Sequence, residues 1–398
     1  MKITALETIR LTEFPNLIWV RLHTDQGLIG LGETFRAAET VETYLHAQAA
    51  QALLGEDPLD TERLARRLRG YLGFVGTGVE MRGNSAVDIA LWDLKGQAAG
   101  LPLYHLLGGL TRPRIRIYNT CAGYQYSRKG PQRTANWGLG QHQGPYEDLE
   151  AFLHRADELA QSLLEQGITA MKIWPFDFAA EASGGHDITP AELERALGPF
   201  AKIRRAVGDK MEVMAEFHSL WNLPTAQRIA RALAPYGTYW HEDPIRMDSL
   251  ADLAAYAAAS LAPVCASETL ATRWSFRDLL ETRAVGVVML DVAWCGGLTE
   301  ARAIAQMADA WHLPVAPHDC TGPVVLTAST HLSLSQPNAL IQETVRAFYS
   351  GWYRDLLTDL PDISGGTIGL STNPGLGTAL LPDLPRRADA TVRLTRAS

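Results

Sequence analysis

From residue 114 to about residue 360 the chain repeats one rhythm eight times: a short β-rich stretch, then a longer segment with helical spacing of its apolar residues. The β-rich stretches are IRIYNT (115–120), AMKIW (170–174), EVMAEF (212–217), TYWHE (238–242), PVCASE (263–268), VVMLD (287–291), LPVAPH (313–318) and ALIQE (339–343). Between them run helical segments such as EDLEAFLHRADELAQSLLEQG, PAELERALGPFAKIRRAVG, TAQRIARALAPYG and LTEARAIAQMADAWH. Eight strand–helix alternations in one segment predict a closed parallel (β/α) barrel. An open doubly wound sheet is the alternative. The lack of a GxGxxG after the first of these strands disfavours it.

The flanks read differently. Residues 1–34 alternate like strands and carry a Gly-punctuated turn, DQGLIGLGE. Residues 38–70 switch to helical spacing. The segment 84–109 is expected to be a long helix, capped by Asn84 or Ser85 and ended by Gly100 and Pro102. The Gly-rich stretch ISGGTIGLSTNPGLGTAL (363–380) is expected to loop back and complete the N-terminal domain. The expected organisation is an α+β N-terminal domain (1–113), the barrel (114–360) and a returning C-terminal segment (361–398).

A chain of 398 residues can bury one large barrel plus a smaller domain. Its net charge of -8, without a basic stripe, argues against nucleic acid as a partner. Cys121, Cys265, Cys295 and Cys320 lie far apart with no CxxC pair, which suits buried thiols better than disulfides or a zinc site. The stretch MKITALETIRLTEF interrupts its apolar residues with charges, so it is a poor signal peptide. No uncharged apolar run is long enough for a membrane span, and the expected compartment is the cytoplasm.

Polar residues at the C-terminal ends of barrel strands point into the active site of such a fold. Glu216 ends the third barrel strand, Glu242 the fourth and Glu268 the fifth, spaced 26 residues apart each time (242 − 216 and 268 − 242). Carboxylates on three neighbouring strands converge on one point and repel each other unless a cation joins them. Mg²⁺ fits, because it takes carboxylate oxygens and leaves room for substrate oxygens. The alternative is three surface acids salt-bridged at the barrel mouth. Asp291 ends the sixth strand and His318 the seventh, so the carboxylate can fix the tautomer of the imidazole and raise its basicity. Lys172 and Trp174 share one facing on the second strand. Lys172 can bind a substrate carboxylate, or form a core salt bridge to Glu216. His218, two residues past Glu216, can donate a proton to a leaving hydroxyl or serve as a structural hydrogen-bond partner. Glu343 ends the eighth strand and can bond a substrate carboxylate as an enolate forms, or pair with Arg346. His241 faces away from Glu242 and reads as packing. The loop with Tyr124, Tyr126, Trp137 and His142 is a candidate lid or oligomer contact. Tyr124, Trp137, Trp174, Trp221 and Arg246 are candidate substrate contacts.

The segments AVDIALWDLKGQAAGLPLYHLLGG, AEFHSLW, HEDPI, ASETL, DVAWCGGLTEA and APHDC together resemble the mandelate racemase branch of the enolase superfamily. The resemblance implies a modified TIM barrel covered by a capping domain made of the N-terminal region and the tail. It implies Mg²⁺ on Glu216, Glu242 and Glu268, an Asp291–His318 general base, and an enediolate formed next to a substrate carboxylate. It also implies capping loops near residues 14–25 that close over the substrate, and a homo-oligomer from dimer to octamer. Two positions depart from the branch. Many members have Asp where Glu216 stands. Members that racemise carry Lys-x-Lys where this chain has Lys172-Ile173-Trp174, and Trp174 cannot take a proton. Glu216-Phe217-His218 is similar to the Asp-x-His of galactonate and mannonate dehydratases. The expected function is therefore acid-sugar dehydration to a 2-keto-3-deoxy acid. A racemase, epimerase or cycloisomerase using the same metal and base is the alternative.

Overall fold

The computed structural model describes residues 1–70, 76–128, 133–141 and 143–397; His142 lies outside them. Three antiparallel strands open the chain: β1 (Ile3–Leu11), β2 (Leu17–Thr24) and β3 (Ile29–Phe35). Ile3, Leu6, Ile18, Val20 and Leu22 bury one face of this sheet against Val41, Leu45, Leu64 and the helix Val79–Ala99. The glycines of the β3 turn matter for contact rather than for the turn itself. A Cβ on Gly30 or Gly32 would sit 2.2 Å or 1.8 Å from the carbonyl oxygens of Ala90 or Ala86, so only glycine lets that helix lie on the strand backbone.

Eight parallel strands follow: β4 (Ile115–Thr120), β5 (Ala170–Ile173), β6 (Glu212–Glu216), β7 (His241–Glu242), β8 (Val264–Ala266), β9 (Val287–Leu290), β10 (Val315–Pro317) and β11 (Gln342–Thr344). Each pairs with the next from β4 to β10. A bridge between Val315 and Ala339 joins β10 to the stretch leading into β11, and β11 pairs with β4. The sheet is therefore closed, which excludes the open-sheet alternative.

The barrel interior explains the site above it. Tyr118, Ala170, Met214, Trp240, Met289, Ala316 and Ile341 form one buried inner cluster. Side chains of a strand alternate sides with period two. Two residues further along each strand the inward positions are Thr120, Lys172, Glu216, Glu242, Asp291, His318 and Glu343. The apolar layer thus carries a polar layer at the C-terminal mouth. Glu268 is the exception, lying beyond the end of β8 and reaching the mouth from the turn that follows.

Several boundaries differ from the expectation. The long helix starts at Val79, with Gly78 as its N-cap, so Asn84 and Ser85 are internal. Ser85 Oγ instead donates to Met81 O and accepts from Gly296 N (2.7 and 3.0 Å), and Asn84 Oδ1 accepts from the Tyr44 hydroxyl (2.7 Å). The helix does end at Gly100, in left-handed backbone with φ 64. The eighth crossover shrinks to Arg346–Tyr349, and the chain then leaves the barrel wall. The tail serves both domains. A hairpin of β12 (Asp362–Ser364) and β13 (Thr367–Gly369) adds antiparallel to the start of β4, and β14 (Ala390–Arg396) adds antiparallel to β1. Among the described residues no helix is long and apolar enough to cross a membrane.

Buried acids join the two domains. Glu33, at the end of β3, accepts from Trp19 Nε1 (2.6 Å) and from Val325 N (3.0 Å) at the start of the barrel helix Pro323–Ser335. Asp88 accepts from the amide and hydroxyl of Thr299 (2.9 and 2.6 Å) at the start of the helix Gly297–Ala310. Asp93 accepts from Leu31 N and Leu376 N (2.9 and 2.8 Å). Free helix N–H groups need acceptors, and carboxylates suit them. Burial nonetheless raises these acids, Glu33 to about 8 and Asp88 and Asp93 to about 7. Unfolded carboxyls titrate near about 4. The folded state therefore holds more protons above that pH, and its stability falls as pH rises toward about 8. Calorimetry should show a melting temperature that declines from about pH 5 to about pH 9. Glu33→Gln should be less stable overall and have a shallower decline. A slope unchanged in Glu33→Gln would mean that Glu33 is charged throughout.

Candidate active site

Ligand oxygens of Glu216, Glu242 and Glu268 all lie within 4.8 Å of one another, and all three residues are buried. At an effective dielectric constant of about 20, two full charges at that separation repel by about 3.5 kcal/mol. Three such charges cannot share a buried mouth without a counter-charge. Burial alone would raise all three carboxyls. Glu216 and Glu268 are still held below the ordinary range, Glu216 by His218 and Lys172 and Glu268 by His318. Glu242 is pushed well above it, by burial and by the charge of Glu216.

Lys172 is the first counter-charge. Its ammonium pairs with Glu242 and lies 3.2 Å from Glu216 and 3.0 Å from Glu343. Burial would lower its pKa, but Glu242 and Glu343 outweigh that and hold it well above the ordinary value. Glu343 accepts from the Thr120 hydroxyl and from Asp319 N (2.6 Å). It does not pair with Arg346, which instead clamps Asp148 at 2.6 Å.

His318 is the second. Nδ1 lies 2.7 Å from Asp291 Oδ2 and Nε2 lies 2.8 Å from Glu268 Oε2. Asp291 is itself fixed by the amide of Ala293 at 2.6 Å. Against burial, Glu268, Glu343 and Asp291 hold the imidazole well above its ordinary pKa. The third is His218. Glu216 Oε1 accepts from the amides of Phe217 and His218 (3.0 and 2.7 Å), and the chain turns with φ 51 at His218. This brings His218 Nδ1 to 2.7 Å from Asp177 Oδ2.

These groups open onto a cavity of about 660 Å³ between barrel and N-terminal sheet. Its floor holds Lys172, Glu216, Glu268, His318, Trp174 and His218. Its roof holds Arg10, Thr12, Pro15, Asn16 and the turn Arg36–Thr40. A smaller cavity of about 260 Å³ adjoins it, lined by Trp137, Asp177, His218 and Glu268. The expected capping loop at 14–25 is shorter than that range. Residues 17–24 form β2, which pairs with β1 on one side and β3 on the other, so within 14–25 only Pro15 and Asn16 line the cavity, with Arg10, Leu11 and Thr12 before them. That loop is pinned by Glu13, which pairs with Arg128 of the barrel and with Arg387 of the tail at 2.6 Å.

Among the candidate substrate contacts, Trp174 lines the larger cavity and Trp137 the smaller. Tyr124 and Trp221 line neither. Tyr124 packs under Arg128, with the guanidinium 5.1 Å from its ring centre, and Trp221 is wholly buried. Arg246 is exposed and donates to Gly184 O at 2.7 Å. His241 is buried between Thr238 and Tyr256 at 2.8 and 2.7 Å, away from the mouth. Asp177, Trp294, Ser127 and Arg36 escaped the sequence reading. Trp294 stacks 5.2 Å from His318, between the guanidinium groups of Arg36 and Arg82 at 5.2 and 4.3 Å. Its place three residues after Asp291 was the one available signal. Ser127 and Arg36 lie in turns and Asp177 at the first position of a short helix, where no strand periodicity marks facing.

The architecture defines a capped α/β-barrel enzyme whose acid–base groups cluster at the strand ends. Residues 155–384 match the family model described as "Enolase C-terminal domain-like". Residues 4–108 match "Mandelate racemase / muconate lactonizing enzyme, N-terminal domain". A D-galactonate dehydratase of Ralstonia nicotianae is 31% identical over 388 residues, covering 95% of this chain and 91% of that one. A D-xylonate dehydratase of Haloferax volcanii is 27% identical, covering 95% and 87%. The crystal structure of an enolase of the mandelate racemase subgroup from Agrobacterium tumefaciens is 56% identical with a TM-score of 0.89, covering 100% and 99%. The chain belongs to the mandelate racemase/muconate lactonizing enzyme family of the enolase superfamily. The named relatives are dehydratases, and so hydro-lyases.

The donor set suits a hard divalent cation: three buried carboxylates, and a Glu216 Oε2 that accepts no hydrogen bond. A divalent cation at 100 times its dissociation constant should stabilise the fold by about 2.7 kcal/mol. Thermal unfolding with and without Mg²⁺ or EDTA checks this. Glu216→Ala should abolish the shift. A shift that survives in that variant would place the ion elsewhere.

Proposed function

We propose that this chain is a Mg²⁺-dependent dehydratase of acid sugars, giving a 2-keto-3-deoxy acid. One observation supports this most strongly: His318 and His218, each paired with its own aspartate, line one cavity beside the carboxylate triad. An elimination needs a base for the α-proton and an acid for the β-hydroxyl. Two separately oriented imidazoles meet both needs. Mg²⁺, held by Glu216, Glu242 and Glu268, would supply Lewis-acid polarisation of the substrate carboxylate.

The residues then divide the work as follows. With Glu268 engaged by the cation instead, His318 Nε2 would be free and unprotonated; oriented by Asp291, it takes the α-proton. The C–H electron pair becomes part of an enediolate, whose charge Lys172 offsets from within the barrel. Glu343, itself protected from water, holds Lys172 in place. His218 gives its proton to the β-oxygen as the C–O bond breaks. Water leaves, and the enol becomes the ketone. Trp174 occupies the position where a two-base racemase of this branch carries its second lysine, so that design does not apply. The names of the relatives support an acid-sugar substrate.

A screen of aldonic and aldaric acids with Mg²⁺, D-galactonate and D-xylonate included, tests the reading through semicarbazide-reactive product. Solvent deuterium in recovered substrate, with no keto acid from any member, would support the isomerase alternative instead. His318→Asn should lower keto-acid formation by about 10²–10⁴-fold and remove α-proton exchange as well. Full activity in that variant would refute the assignment of the base.

A further inference from the structure

Asp177 stands outside the strand-end pattern that set the other site residues, yet it completes a second imidazole–carboxylate pair. Its Oδ2 lies 2.7 Å from His218 Nδ1. Its Oδ1 is buried without a hydrogen-bond partner, so no second donor explains why a carboxylate sits there. Asp177 opens the helix Asp177–Ser183, which fixes its backbone directly after the β5 turn. His218 is held from three sides: by Asp177, by its own amide on Glu216 Oε1 at 2.7 Å, and by the Trp174 ring 5.7 Å away at 71°. With Nδ1 taken by Asp177, Nε2 is the nitrogen left to the cavities that His218 lines.

We infer that Asp177 is a positioning residue that fixes the proton of His218 on Nδ1 and aims Nε2 at the departing β-hydroxyl, committing the intermediate to elimination. The inference rests on the dehydratase reading. The balance is simple. His318 gains the α-proton, and the resulting electron pair expels the β-oxygen. His218 Nε2 gives that oxygen the proton it needs to leave as water. Without Asp177 the imidazole can turn or change tautomer. The intermediate then has no aligned acid, and its remaining outlet is return of a proton from His318 to the α-carbon. Asp177 therefore governs the split between elimination and return, not formation of the intermediate.

The test uses Mg²⁺-loaded Asp177→Asn and Asp177→Glu in D₂O, with D-galactonate or whichever screened acid the wild type turns over fastest. Asp177→Asn should lose keto-acid formation by about 10²-fold or more. Deuterium should meanwhile enter recovered substrate at a rate within about threefold of wild-type α-proton removal, and Asp177→Glu should recover part of the elimination. The 3-deoxy-3-fluoro analogue should be eliminated by Asp177→Asn nearly as fast as by wild type, because fluoride leaves without a proton. Loss of exchange and elimination by the same factor would overturn the inference, as would no loss of either. A measurement that needs no turnover runs beside it. The ¹⁵N signals of His218, assigned by their absence in His218→Gln, should change tautomer or protonation pattern in Asp177→Asn. Unchanged signals overturn the pairing. Absence of keto acid from the wild type sinks the dehydratase reading alone, and the ¹⁵N result still decides the Asp177–His218 pairing.

Discussion

Like charges confined at a barrel mouth are the constraint on which the rest depends. Six carboxylates crowd this region: Glu216, Glu242, Glu268, Asp291, Glu343 and Asp177. Three basic groups are interleaved with them: Lys172, His318 and His218. With all six carboxyls ionised and both imidazoles protonated, the cluster would be short by three positive charges (6 − 3), and the upward push on Glu242 is the mark of that shortfall. A divalent ion on the triad would make up two of the three. Lys172 pairs with three of the acids and His318 with two, while His218 pairs with Asp177, so moving any of the three bases leaves a charge unpaired. Rigidity of the reacting groups thus follows from electrostatics before any substrate arrives.

The second domain follows from the same geometry. A barrel mouth full of charge is open to water from above, and water weakens every interaction there. The N-terminal sheet supplies the roof through Thr12–Asn16 and Arg36–Thr40. It is held down by acids that reach barrel helices, Glu33 to Val325 and Asp88 to Thr299. The Glu13 clasp joins roof, barrel loop and tail in one place. The acid–base groups therefore sit on the barrel floor and a separate set of side chains on the roof, so the two can vary separately.

The strand-borne part of the site was legible because strands obey a period of two. Tyr118, Ala170, Met214, Met289, Ala316 and Ile341 fill the interior, so Thr120, Lys172, Glu216, Asp291, His318 and Glu343 must face the same way one step up. That argument stops where the strand stops. Trp221 and Tyr124 were candidate substrate contacts, but Trp221 is wholly buried and Tyr124 packs under Arg128, so neither lines the cavity. The helix start was misplaced for a related reason. Asn84 and Ser85 have capping side chains, yet Val79–Gly83 continues the helix upstream and their polar atoms bond to Tyr44 and Gly296 instead. After β11 the helix is only Arg346–Tyr349, and the chain runs on to build the hairpin on β4.

Residues that follow strand register and residues in the segments after β5 and β6 form two groups in the candidate site. Lys172, Glu216, Glu242 and the Asp291–His318 pair follow strand register, with Glu268 joining them from the turn after β8, and in the proposed reaction they serve removal of the proton next to a carboxylate. What happens to the intermediate depends on groups past the strand ends. Trp174 lies one residue beyond β5, His218 two beyond β6, and Asp177 at the head of the helix after β5. Turns tolerate substitution more readily than barrel staves, whose side chains are packed on every side. On the proposed mechanism, a barrel of this kind can keep its proton-abstracting floor unchanged while the segments after β5 and β6 decide whether the next bond broken is C–O or none.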